Sequence, residues 1–232
     1  NIYSYSFYNC KGLNGQLLLP VLPTGSSFTI QEYAFAGCSG LTGSIEASSI
    51  GSVGRYGFAG CSQLNGQLNF ATLLTRVDEY AFSGCSGFSD TLTFHIDSSK
   101  LTIERNAFEG CSGFKDGTLN FYMEYKEDTA NNNHYFYDYF LKIGNKAFED
   151  TKFKNIYYLG RFQPDCDFDI GISSIKGIHT SANYANKTFC GNPVHKSKLS
   201  GGAIAGIVIA CIVVVAAIVV LIIFLIKRNK QN

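Results

Sequence analysis

The chain has 232 residues and a formal net charge of +1, and only 16% of its residues are charged. A nucleic-acid-binding protein is excluded on this basis, because neutralising phosphates needs a dense basic face. A strongly acidic or strongly basic partner is likewise not indicated.

One sequence pattern recurs along the first two thirds of the chain. It reads Ile or Val, three variable residues, a small residue, Phe, one residue, Gly or Asn, Cys, Ser or Lys, one residue, and Leu or Phe. The copies span residues 2–13, 30–41, 53–64, 77–88, 103–114 and 143–153. The sixth copy has Thr151 in place of the cysteine. A period of about 23 to 28 residues predicts a solenoid with one coil per repeat.

Each repeat also contains a short segment in which apolar and polar residues alternate. These segments span residues 16–19, 44–47, 67–70, 91–94, 118–121 and 155–158. The alternation predicts one strand per repeat, stacked in parallel about 4.8 Å from the next. The residues expected inside are Leu17, Leu19, Leu68, Phe70, Leu92, Phe94, Leu119 and Phe121. Those expected to face outward are Gln16, Leu18, Gln67, Asn69, Thr91, Thr93, Thr118 and Asn120.

The repeated Phe and the residue before each cysteine predict the opposite side of the coil. The phenylalanines should stack as a core ladder of Phe7, Phe35, Phe58, Phe82, Phe108 and Phe148. The residues before the cysteine are Asn9, Gly37, Gly60, Gly84, Gly110 and Asp150. These residue types tolerate positive φ, so we expect a left-handed turn that ends a short helical turn.

The repeat cysteines Cys10, Cys38, Cys61, Cys85 and Cys111 allow two interpretations. One is a disulfide or metal framework, and the spacing of coils does not forbid disulfides by distance. The other is a ladder of buried thiols packed as small apolar groups. An odd number of cysteines cannot pair completely, Thr151 replaces the sixth, and no Cys-x-x-Cys pair or histidine cluster is present. The buried-thiol ladder is therefore favoured.

An insertion lengthens the fifth repeat between Phe121 and Phe140. Its first half, 124–133, is polar and predicts a surface loop, while its second half contains Tyr135 and Tyr137 among other aromatic residues. Exposed tyrosines on a rigid scaffold often contact partners. The alternative is a tolerated insertion whose aromatic side chains pack on the solenoid.

Residues 161–192 lose the repeat pattern and predict a capping segment over the end of the core. Cys166 and Cys190 lie within it, and an oxidising extracellular setting favours a disulfide between them, worth roughly 3 kcal/mol. Asp165, Asp167 and Asp169 resemble the start of a calcium loop. The glycine falls one position late and a lysine stands where the bidentate Glu is needed, so a solvated acidic turn is favoured.

Residues 203–226 are uncharged and rich in Ile and Val, which predicts a single transmembrane helix; a buried helix of a soluble protein is the alternative. A basic tail, 227–232, follows and favours the cytoplasmic side. The sequon at Asn186 is an N-glycosylation candidate and favours an extracellular repeat region. Gly202, Gly206 and Ala210 form a row of small residues that would allow a weak homodimer through the span.

No motif for catalysis, a cofactor or a metal ion is found. The four histidines are scattered and have no Ser, Asp or Cys partner in an activation motif. Phosphate-binding glycine loops are absent as well. We therefore predict no enzyme, no cofactor and no metal site.

The repeat unit resembles the BspA-like leucine-rich repeat, also called the Treponema pallidum type. The resemblance covers about residues 2–160 and all six copies, and includes CSGLTGS at 38–44. YYLGRFQPDC at 157–166 and TFCGNPV at 188–194, ahead of a hydrophobic span, resemble surface BspA-like proteins of trichomonad parasites. This implies a leucine-rich repeat solenoid at the plasma membrane that binds an extracellular protein or glycan. The chain departs from the family in having few prolines after its strands.

The predicted organisation is an N-terminally incomplete solenoid at 1–160, a cap at 161–192, a linker at 193–202, a span at 203–226 and a tail at 227–232. The principal functional hypothesis is an adhesin or surface antigen that binds through Gln67, Asn69, Thr91, Thr93, Thr118 and Asn120, with Tyr135 and Tyr137 as additional contacts. The alternative is a structural or antigenic coat protein without a specific ligand.

Overall fold

A computed structural model describes residues 1–96, 100–123, 126–128, 133–135, 140–173, 175–181 and 184–196. Across these residues the chain winds into a parallel β-solenoid with two six-stranded sheets. The first sheet has the order β2 (Phe28–Ile30), β4 (Ile50–Val53), β6 (Arg76–Val77), β8 (Leu101–Ile103), β12 (Leu141–Ile143) and β14 (Asp165–Cys166). The second has the order β5 (Gly66–Phe70), β7 (Phe88–Ile96), β9 (Thr118–Met123), β13 (Asn155–Tyr158), β15 (Gly177–Thr180) and β18 (His195–Lys196).

The remaining elements are short. A two-stranded sheet pairs β1 (Gly15–Gln16) with β3 (Leu41–Thr42), and two hairpins form from β10 (Lys126–Asp128) with β11 (Asn133–Tyr135) and from β16 (Thr188–Phe189) with β17 (Asn192–Pro193). One 3₁₀ turn, Ser112–Phe114, interrupts the described strands and turns. Among the described residues no helix has the length and apolarity needed to cross a membrane. The predicted span at 203–226 and the row of small residues that begins at Gly202 lie outside the described residues.

Four of the six predicted strands form where the alternation placed them. The predicted strand at 44–47 is wrong, and that at 16–19 is shifted, because only Gly15 and Gln16 pair with Leu41 and Thr42. After β3 only an isolated bridge between Gly43 and Leu64 forms, and residues 44–47 do not pair with a neighbouring strand. Ile45 and Ala47 are nevertheless buried, and the apolar pattern is satisfied by packing alone.

In each coil, one side runs from the first-sheet strand to the cysteine, and we call this side the turn edge. It consists of successive turns and not of the short helical turn that was predicted. In the second coil, Tyr33, Phe35 and Gly37 donate main-chain hydrogen bonds to carbonyl groups of the next coil, over 2.9, 2.8 and 2.7 Å. Ala34, Ala36 and Cys38 donate to the residue three positions earlier in their own coil. Alternate amides thus point in different directions, which a helix does not allow.

Positive φ angles make this alternation feasible. The residue before each cysteine has a φ between 56° and 75°, from Asn9 to Asp150, as the sequence predicted. A second positive-φ position was not predicted, because large side chains occupy it. Its members are Tyr5, Tyr33, Tyr56, Tyr80, Asn106 and Lys146.

Among the described residues, three phenylalanine stacks fill the core. The predicted ladder from Phe7 to Phe148 has ring centroids 5.0 to 5.6 Å apart. Two further stacks run through Phe70, Phe94 and Phe121 and through Phe88, Phe114 and Phe153. Phe7 is 39% exposed, contrary to the expectation of a core position, because its ring is covered from one side by Phe35.

The described residues between 161 and 196 continue the solenoid although this segment lacks the repeat pattern. Cys166 pairs in register with Ile143 in the first sheet, and His179 with Tyr157 in the second. The β16–β17 hairpin then places Phe189 5.0 Å from Tyr158, which covers the end of the core. A disulfide between Cys166 and Cys190 links β14 to this hairpin.

Candidate functional site

The outer face of the second sheet carries rows of mainly polar residues that pair in register. The register shifts once, between Gly66 and Leu68, so Gln67 lies outside the paired rows. The central row consists of Asn69, Thr93, Asn120, Tyr157 and His179. A neighbouring row consists of Thr91, Thr118 and Asn155, and it ends at Gly177, which has no side chain. The intervening residues, such as Leu92 and Phe94, are fully buried, so the alternation of the strands directs both rows outward.

Accessibility varies along these rows. Gln67 and Asn69 are exposed, and Thr91 and Thr118 are half-buried. Thr93 and Asn120 are only 5% exposed, which corrects the expectation that they offer free contact groups. Both lie in the middle of the sheet, where side chains of the neighbouring strands flank them, and the Asn120 amide donates to the Thr93 hydroxyl over 3.3 Å. These two residues therefore support the face more than they present it.

Four ring-bearing residues extend this face and were not predicted. Tyr157 and His179 stack with ring centroids 4.8 Å apart, and His95 and Tyr122 lie 5.4 Å apart. The alternation continues past Phe94 and Phe121, which was a usable signal for His95 and Tyr122. Residues 177–180 carried only a four-residue pattern inside a segment without the repeat, so His179 had no comparable signal.

The two tyrosines of the insertion are separated by the limit of the described residues. Tyr135 ends β11, whose backbone pairs in an antiparallel hairpin with β10, and Lys126 is its register partner. Tyr137 lies outside the described residues. Whether either tyrosine contacts a ligand stays a prediction.

The turn edge carries an aromatic and charged surface that sequence reasoning missed. Tyr5, Tyr33, Tyr56 and Tyr80 stack with ring centroids 4.8 to 5.0 Å apart. The Arg55 guanidinium lies 5.3 Å from the centre of the Tyr56 ring, and that of Arg105 lies 5.7 Å from the centre of the Tyr80 ring. The recurrence of Tyr two residues before Phe was the available signal.

Charged side chains surround this tyrosine stack. Glu79 forms ion pairs with Arg55 at 3.5 Å and with Arg105 at 3.7 Å. A third ion pair joins Arg76 to Asp78. An open groove of about 390 Å³ is lined by Arg55, Arg76, Asp78, Glu79 and Glu104.

The repeat cysteines form a hydrogen-bonded ladder of unpaired thiols. Cys38, Cys61, Cys85 and Cys111 are buried, and each donates to the carbonyl oxygen of a phenylalanine one coil earlier over 2.9 to 3.1 Å. Thr151 occupies the same position but donates to Phe148 of its own coil over 2.7 Å. Burial raises the pKa of the Cys61 thiol from 9.0 to about 12 and raises that of Cys85 well above its usual range. Protonated, buried thiols do not act as nucleophiles.

The acidic run near the cap is used in local structure. Asp167 accepts a hydrogen bond from the main-chain amide of Asn145 over 2.9 Å, and Asp169 accepts one from that of Gly171 over 2.8 Å. Within the described ranges, no three His, Cys, Asp or Glu side chains are grouped as a metal site would require. Asn186, the glycosylation candidate, is half-buried beside β16.

Comparison with protein-family models identifies the repeats. The model described as "BspA type Leucine rich repeat region" matches residues 1–133 and 28–163, with six copies. The matched region covers more than half of the chain. Neither the curated proteins nor the solved structures gave a match.

Proposed function

Because the chain belongs to the BspA-type leucine-rich repeat family, we propose that its solenoid is a cell-surface binding scaffold, an adhesin or surface antigen for an extracellular protein or glycan. The observation that carries the proposal is the outer face of the second sheet. Polar groups from consecutive coils are held there at fixed spacing by a core that is fully buried beneath them.

The chemistry of this face favours a neutral, hydrogen-bonding ligand. The register rows contain Asn, Thr, Tyr and His but no Asp, Glu, Lys or Arg. Such a surface gives little electrostatic steering and relies on short-range hydrogen bonds and ring contacts. A polysaccharide or the polar surface of a protein provides matching groups along several coils.

Anchoring at the plasma membrane is part of the proposal and is supported by the sequence. The uncharged stretch at 203–226 and the basic tail after it suit a single span with the repeats outside. The sequon at Asn186 and the Cys166–Cys190 disulfide suit an oxidising extracellular compartment.

The proposal is tested with the full chain displayed on cells that otherwise do not adhere. Adhesion to host cells and to immobilised matrix is compared for the wild type and a triple variant, Gln67→Ala, Asn69→Ala and Thr118→Ala. The matched control is Thr29→Ala, Ser52→Ala and Lys142→Ala, which alters the outer face of the first sheet. We expect the first variant to lose adhesion and the control to keep it.

Two results would count against the proposal. Equal adhesion by both triple variants would remove the second-sheet face as the binding surface. The absence of any saturable binding, with abundant display, would favour the alternative of a structural coat protein.

A further inference from the structure

The turn edge carries a row of alternating charges with one residue from each of four consecutive coils. The row consists of Glu32, Arg55, Glu79 and Arg105, each placed immediately before a residue at the second positive-φ position. The amides of Tyr33, Tyr56 and Tyr80 donate to the carbonyl oxygens of Arg55, Glu79 and Arg105 over 2.9 to 3.3 Å, which aligns the four coils. The tyrosine rings that follow Glu32, Arg55 and Glu79 in the sequence stack with their centroids 4.8 and 4.9 Å apart, which is the spacing of the coils at this edge.

The row is accessible and held in place. The side chains of Arg55 and Arg105 are 50% exposed and that of Glu79 is 37% exposed. Each guanidinium also lies against a tyrosine ring of the stack, which restricts its motion. A guanidinium has five N–H donors, so pairing with Glu79 of its own chain leaves donors for a second carboxylate.

We propose that this charged row docks against the same row of a second copy of the chain, with the two solenoids antiparallel. A twofold axis between Arg55 and Glu79 places Arg55 opposite Glu79 of the second copy and Glu32 opposite Arg105 of the second copy. All four positions then meet an opposite charge. Tyr56 lies opposite Tyr80 of the second copy beside the charges. Isologous contacts of this kind need a self-complementary surface, which the alternation provides.

Charge alternation also argues against other arrangements. Two parallel solenoids in register would place like charges opposite each other at every coil. A parallel arrangement shifted by one coil would leave one charge of each row unpaired, whereas the antiparallel arrangement pairs all four. A uniformly acidic or uniformly basic partner would meet its own sign at half of the positions. A second copy has the required alternation at the required spacing. The contact is separate from the ligand face proposed on the second sheet.

The test uses two differently tagged full chains that are extracted together in a nonionic detergent. We expect co-isolation at about 0.02 M salt and a marked loss at about 0.5 M salt, where the charges are screened within a few ångströms. Arg55→Glu or Glu79→Arg, introduced in both tagged chains, should each reduce co-isolation more than about tenfold, because like charges then meet at two positions.

Mixing the two variants provides the decisive arm. A chain with Arg55→Glu and a chain with Glu79→Arg restore opposite charges at all four positions, so co-isolation should return. Glu46→Lys and Lys154→Glu, on exposed residues elsewhere, should leave it unchanged. Thermal unfolding of each variant checks that the fold is intact, because exposed ion pairs contribute little to stability. The proposal would be overturned if the mixture co-isolated no better than either variant alone. It would also be overturned by association that persists in both charge-reversal variants and at high salt, because association through the predicted span would behave in that way.

Discussion

The thiol of Cys85 donates a hydrogen bond to the carbonyl oxygen of Phe58 in the preceding coil, over 3.0 Å. The same carbonyl accepts the amide of Cys61 over 3.1 Å, so the thiol is its second donor. Equivalent bonds at Cys38, Cys61 and Cys111 connect each coil to the one before it. The recurring cysteine therefore links coils by hydrogen bonds as well as by packing.

Replacing Cys85 tests this link. Cys85→Ala removes the donor and leaves a small cavity, which should lower the free energy of unfolding by about 1–2 kcal/mol. Cys85→Ser keeps a donor and should cost less, since Thr151 already places a hydroxyl at this position of the ladder. Denaturant unfolding measures both. Cys10→Ala, at the half-buried end of the ladder, is the matched control and should cost least. Equal losses in the free energy of unfolding for all three variants would show that the hydrogen bond from the thiol does not contribute to stability.

Alkaline pH should destabilise the solenoid through the same thiols. Burial raises the pKa of Cys61 from 9.0 to about 12, so above pH 9 the unfolded chain ionises while the folded chain stays protonated. Stability is then lost as the pH rises from 9 to about 12, by about 1.4 kcal/mol per pH unit for each such thiol. Denaturant unfolding curves across this pH range give the slope of the free energy of unfolding against pH. Cys61→Ala should make this slope smaller. A slope that Cys61→Ala leaves unchanged would refute the assignment.

The phenylalanine ladder should be unequal along its length. Phe82 is fully buried and stacks between Phe58 and Phe108 at 5.2 and 5.1 Å. Phe82→Ala should cost about 3–5 kcal/mol, the usual range for a buried aromatic ring. Phe7→Ala makes the same chemical change at a ring that is 39% exposed and should cost much less. Thermal unfolding compares the stability of the two variants. Similar losses of stability would contradict the prediction drawn from the difference in burial.

The disulfide should stabilise the cap that covers the core. Cys166 and Cys190 are separated by 24 residues, so breaking the bond should cost about 3 kcal/mol by loop-closure entropy. Cys190→Ser and reduction of the wild type should give the same loss. Adding reductant to Cys190→Ser should change nothing further, and an additional loss there would reveal another disulfide.

The features that could be predicted from the sequence are those that every coil repeats. The stacking of Phe35 on Phe58, the positive φ of Gly60 and the burial of Cys61 each follow from a residue type that returns at one position. Repetition converts a weak local preference into a coordinated signal, because each copy must fit the coil beside it.

The first sheet and the details of the candidate face could not be derived in the same way. Strands such as Arg76–Val77 are too short for alternation to identify, and they exist because Ser52 and Thr102 lie beside them in register. The burial of Thr93 depends on side chains from neighbouring coils, which a linear pattern does not display. The charged row of the turn edge has the same origin, since Arg55 and Glu79 are far apart along the chain and adjacent only across coils.

The insertion that follows β9 leaves the surrounding register intact. Leu101 pairs with Leu141, and Asn120 with Tyr157, although 17 residues separate Met123 from Leu141 in the sequence. The pairing of these strands is therefore compatible with a long segment between β9 and β12. We therefore expect that foreign segments, such as a reporter epitope or a peptide antigen, can replace this insertion, with the solenoid acting as their display frame.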